Sequence, residues 1–130
     1  DQTDEGIEIK QGVSVLSAPL KFNMDGCVKF AYPHGHDELL MVALENKSSR
    51  ETLLRTVPEV GADGTFRDFR PHQVYRDDKG FTVTKRDDYE MVMVHHHPLQ
   101  NPNIHHGMGN YLLYMTPGVC PRSANTASAR

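Results

Sequence analysis

The chain is interrupted too often for a helix to grow. Strand-length runs of alternating or β-branched residues recur at 7–16, 28–32, 39–44, 52–57, 81–84, 89–94 and 111–116. Turn signals such as Asp25-Gly26, Ala62-Asp63-Gly64 and Asp78-Lys79-Gly80 stand between them. No segment holds a helical apolar period for three turns between these breakers. Segment 38–46 is long enough for one short helix, but the alternation around Val42 favours a strand. A parallel α/β sheet needs crossover helices that this pattern does not supply. The expectation is an all-β fold, an antiparallel, jelly-roll-like β-sandwich of about eight strands. At 130 residues the chain makes one domain. Residues 21–120 form the sandwich, 1–20 an extended segment that serves as an edge or intersubunit strand, and 121–130 a Ser- and Ala-rich tail with nothing to pack.

Composition narrows the function. A net charge of −3, with no Lys/Arg cluster, gives nucleic acid no electrostatic footprint. No apolar run is long enough for a membrane span. The chain begins at Asp1 with an acidic, polar stretch, which reads as a mature chain without its leader or as a fragment, and a secreted or extracellular protein is expected. Cys27 and Cys120 lie far apart and match no short-spaced zinc pattern. A disulfide between them is the first reading and two buried thiols the alternative. Asn46-Lys47-Ser48 is an N-glycosylation acceptor triplet, with Asn46 as the acceptor.

Histidine is over-used, at eight in 130 residues. His34-Gly35-His36 follows the run 28–32 and falls at a strand end. In an extended chain, residues two apart project to one face within ~7 Å, so His34 and His36 can offer two imidazoles to one ion. His95-His96-His97 closes the run 89–94, with His95 and His97 facing one way and His96 the other. His105-His106-Gly107-Met108 stands directly before the last strand. Met108 is the informative member: a thioether suits copper, above all Cu(I), is unusual for zinc and is poor for calcium or magnesium. Two imidazoles and a thioether leave one coordination position open. The plainer readings are a solvated strand end for His-x-His, a surface run for the triple His, and core filler for Met108. His72, in a Pro-rich loop, is given no role. A zinc hydrolase would need a general base, and the nearest acids, Asp37 and Glu38, read as a solvated turn.

Taken together, Cys27-Val28-Lys29-Phe30-Ala31-Tyr32, His34-Gly35-His36 and Met108-Gly109-Asn110-Tyr111-Leu112-Leu113-Tyr114-Met115 resemble a known family. It is the C-terminal, catalytic-copper half of the copper type II, ascorbate-dependent monooxygenases, which include peptidylglycine α-hydroxylating monooxygenase, dopamine β-monooxygenase and the stress-upregulated nodulin-19-like proteins. The resemblance covers roughly residues 27–120. It implies one copper held by His34, His36 and Met108, and a bridge between Cys27 and Cys120. Segment 69–89, with Pro71, Gln73 and Asp87-Asp88, is similar to the family's lead into the strand before the Met. His95, His97, His105 and His106 have no counterpart and are auxiliary metal candidates. The monooxygenases hold a second copper in a separate half-domain for which these residues leave no room, so hydroxylation by this chain alone is not expected, and no small-molecule substrate is assigned. Two functions follow: a secreted copper-binding β-sandwich, or an extracellular structural subunit that assembles into a homo-oligomer or filament through segment 1–20, its metal site vestigial or bridging.

Overall fold

Exposure alternates residue by residue along Gly12–Leu20, as it must where a strand turns one face to a core and the other to water. The computed structural model describes residues 7–9, 12–35, 39–60, 66–68, 74–97, 105–107 and 109–121. In chain order the strands are β1 (Ile7–Ile9), β2 (Gly12–Leu20), β3 (Gly26–Gly35), β4 (Leu39–Asn46), β5 (Glu51–Thr56), β6 (Glu59–Val60), β7 (Phe66–Asp68), β8 (Tyr75–Val83), β9 (Tyr89–His97), β10 (His105–Gly107) and β11 (Gly109–Pro117). No helix occurs among the described residues, so none is long and apolar enough to cross a membrane.

Two antiparallel sheets form the sandwich, one of three strands in the order β11-β3-β8 and one of four in the order β2-β9-β4-β5. Two short ribbons, β1-β10 and β6-β7, accompany them. Between the sheets, Val28 and Ala31 of β3 and Val83 of β8 pack with Leu44, Leu54 and Tyr89 of the facing sheet. A second cluster, Leu39, Val42 and Met93, takes Leu16 and Tyr111 at its margin. Each such side chain contributes about 1.5–3 kcal/mol on leaving water.

The run read at 7–16 divides into β1 and β2, which pair with different strands, β10 and β9. Within segment 38–46 the described residues, Leu39–Asn46, form strand β4, its Val42 and Leu44 fully buried. The signal Asp78-Lys79-Gly80 lies within β8 and is no turn between strands. Gly80 there has φ +71, and a Cβ on it would run into the Val28 carbonyl oxygen. The residues mark the place where the β3–β8 register shifts, between Val28 and Phe30. Ala62-Asp63-Gly64 lies outside the described residues. The chain bends at Asn23 and Met24, just before Asp25-Gly26, and Gly26 opens β3; the Asp25 carbonyl accepts from Gly118 N at 3.0 Å and its carboxylate from Lys85 N at 2.9 Å.

Cys27 and Cys120 form a disulfide, with Cα atoms 4.7 Å apart. Cys27 is fully buried. Cys120 N also donates to Thr82 Oγ1 at 2.9 Å, so the chain leaving β11 is tied to both β3 and β8.

Candidate functional site

Because β3 and β11 run antiparallel, the end of one lies beside the start of the other: His34 is the Cα partner of Asn110, and Gly35 of Gly109. Gly109 also sits against the facing sheet, where a Cβ on it would come 3.0 Å from Met93 Cγ and 3.1 Å from Leu39 Cδ1. Leu39 opens β4 and is the Cα partner of His95 near the end of β9. His95 pairs on its other side with Ser14, His96 with Val13, and His97 with Gly12. His105 and His106 pair with Ile9 and Glu8, and one residue, Met108, separates β10 from β11. The ends of β3, β9 and β10 therefore meet at one pole of the sandwich. The pair Gly26–Pro117 and the disulfide mark the opposite pole.

Three histidine groups separated in sequence thus share one pole, but the His34 and His95 imidazoles do not share one face. His34 is exposed. His95 is 0% exposed and belongs to the interior between the sheets, while His96, one residue on, is exposed. The alternation expected between His95 and His96 is present. His36 and Met108 lie outside the described residues, as do His72, Asp37 and Glu38. Among the described residues, no group of three or more His, Cys, Asp or Glu side chains is placed to hold a metal ion.

The outer face around His34 is aromatic. Tyr32 is half exposed, with Leu112 as its Cα partner, and Phe30 meets Tyr114 edge-on at 5.2 Å. The Arg76 guanidinium lies over the Phe30 ring, 5.5 Å from its centroid.

Two polar arrangements were not read from the sequence. Tyr111 sends its hydroxyl between the sheets, donating to Val42 O at 2.9 Å and lying 2.8 Å from Thr56 Oγ1. Burial pushes this phenol up to about 12, against a smaller opposing effect of the Thr56 hydrogen bond. At the far pole, Asn46 is 7% exposed, its Oδ1 accepting from Ser48 N and Ser49 N and its Nδ2 donating to Asp87 Oδ2 at 3.0 Å. Lys21 Nζ there reaches the Arg86 and Asp87 carbonyls and the Asp88 carboxylate. The Asn46 hydrogen bond holds the Asp87 carboxyl below the usual range against the opposing effect of burial, with lesser help from Thr84, Arg86 and Lys21. The only sequence signal for this lattice was the acceptor triplet at Asn46, which is also a sequence that bends into an Asx turn.

No protein-family model, no curated protein and no solved structure matches the chain.

Proposed function

We propose that the chain is an extracellular copper-binding β-sandwich in which His34, His36 and Met108 hold one ion. One observation carries most of the support: Gly35 and Gly109 are Cα partners, and they are the chain neighbours of His36 and Met108. With consecutive Cα atoms about 3.8 Å apart, chain connectivity alone keeps both candidate ligands within one residue of that pair. Neither glycine brings a Cβ there. The donor set of two imidazoles and a thioether favours copper over the hard cations, and the exposure of His34 leaves the ion open to solution. His95, His97, His105 and His106, gathered at the same pole, are the auxiliary groups. The disulfide fits an oxidising compartment, which supports secretion. No catalytic step is assigned to the site.

The test is metal analysis by mass spectrometry of the native chain and of His34→Ala, His36→Ala and Met108→Ala variants, all loaded with copper identically. The expected result is about one copper per native chain and near-background copper in the combined variant. A native chain that retains none after stoichiometric Cu(I) or Cu(II) ends this reading.

The second reading, an assembling extracellular subunit, is favoured by a different observation: β2, which lies wholly within segment 1–20, is an edge strand of the four-stranded sheet.

A further inference from the structure

The sandwich has four edge strands, β2 and β5 on one sheet and β11 and β8 on the other. Natural edges are protected by charge, by proline or by bulges. β8 carries Arg76, Asp77, Asp78, Lys79 and the register shift near Gly80. β5 carries Glu51 and Arg55, and its register with β4 shifts at Leu44/Glu45. These two edges lie on one side of the sandwich, where Leu53, Thr56 and Tyr75 line a common groove. β2 and β11 form the other side, and neither strand contains Asp, Glu, Lys or Arg. β11 is broken by a shift between Tyr114 and Met115. β2 runs against β9 in unbroken register over its nine residues, and among the described residues no strand pairs with its other edge.

The outer face of β2 is apolar as well as uncharged. Val13 and Val15 are 67% and 69% exposed, and Val94 is the Cα partner of Val15. A long, flat, uncharged edge bearing exposed valines is a template for another strand.

We infer that the other strand is β2 of a second copy of this chain, paired antiparallel about a two-fold axis, so that the two four-stranded sheets become one continuous sheet. A second copy meets no like-charge penalty at this contact: each copy carries −3, but neither presents a charge along β2. Pro19 sets the register. It has no N–H, so an intact β2–β9 ladder turns it, together with residues 13, 15 and 17, toward the free edge. The two-fold pairing that keeps Pro19 out of the new ladder centres on Val15, with Val13 opposite Ser17, and exchanges about six hydrogen bonds. It also sets the exposed valines of both copies side by side on one face. This inference rests on the assembly reading and is independent of copper.

The experiment is analytical ultracentrifugation of the full chain, with and without a chelator, over roughly 5–500 μM. Wild type is expected to be dimeric at the top of the range in both buffers. Val15→Lys and Val13→Lys are expected to be monomeric throughout with unchanged circular dichroism, either one serving if the other misfolds. Tyr114→Lys, on the outer face of β11, should stay dimeric. A wild type that is monomeric everywhere overturns the assembly reading together with this inference. A dimer that survives both lysine variants, or is lost in Tyr114→Lys or on chelation, leaves assembly standing and overturns the β2 edge.

Discussion

Tyr111 donates its hydroxyl proton to the Val42 carbonyl oxygen, 2.9 Å away on the facing sheet. Its one proton being used there, Thr56 Oγ1 at 2.8 Å is the donor to the phenol oxygen. The phenolate is excluded from this place, with folded Tyr111 titrating at about 12 against 10.0 for an exposed tyrosine. The stability due to the neutral hydroxyl is whole below pH 10 and disappears as pH rises through 12, a loss of about 3 kcal/mol. Tyr111→Phe should cost about 1–3 kcal/mol at neutral pH by leaving Val42 O and Thr56 without their partner. It should also flatten the alkaline fall in melting temperature, measured from pH 8 upward beside wild type. Parallel alkaline limbs in the two proteins would refute this role.

Gly109→Ala tests how closely the candidate pole is packed. The new methyl would lie 3.0 Å from Met93 Cγ and 3.1 Å from Leu39 Cδ1, closer than ordinary contact. Both neighbours are fully or nearly fully buried, at 4% and 0% exposure, and have little room to retreat. The expected cost is about 1–3 kcal/mol in urea unfolding. Gly12→Ala is unsuitable as a control because Gly12 has φ +94, but Ser17→Ala on the outer face of β2 should be nearly neutral. Equal midpoints for Gly109→Ala and wild type would mean that the two sheets are not in contact at this pole.

The run 89–94 made most of β9 legible, whereas the run 7–16 merged β1 with the first half of β2. The exposed face of β2 carries Val13 and Val15 and its other face Gly12 and Ser14, so apolar alternation did not mark its limits. The first half of β8 was hidden for another reason: as an edge strand it carries Arg76, Asp77, Asp78 and Lys79, whose charges read as a loop. The three histidine groups were legible as groups, but nothing local in 34–36, 95–97 or 105–108 encodes that a ladder brings Gly35 beside Gly109, or that Gly109 lies on the Leu39 partner of His95. Register is a long-range property. Tyr111 read as one more aromatic strand residue, since its function depends on a carbonyl and a hydroxyl from two other strands.

The far pole should weaken in acid. Asp87 accepts from Asn46 and titrates below its ordinary value, so it contributes stability above the unfolded carboxyl value of 3.8 that is lost as pH falls through the lower folded one. Asp87→Ala should flatten the acid limb of a stability profile below about pH 5. Asn46→Ala should cost more, about 1–3 kcal/mol, because it also strips Ser48 N and Ser49 N of their acceptor. A glycan on Asn46 Nδ2 would displace the Asp87 bond from a nearly buried site, so the folded protein from a glycosylating host should show no mass change on glycosidase treatment. A shift in mass of one glycan would contradict it.

The disulfide closes most of the chain into a loop, its cysteines lying 93 positions apart. On the chain-entropy account this stabilises the fold by about 4–5 kcal/mol. A Cys27→Ser, Cys120→Ser chain should therefore unfold at a much lower urea concentration and with a steeper transition, because the unlinked unfolded chain exposes more surface. The reactivity of the bridge follows from its placement. Cys27 is fully buried, and a Cβ on Gly80 would come 3.0 Å from its sulfur, so β8 closes over it. Cys120 is half-buried, and its backbone N is held by Thr82, so release of the chain after β11 opens the bridge further, and reduction should accelerate steeply with urea before global unfolding. Reduction at the same rate with and without urea would mean that the bridge is open to solvent in the native fold.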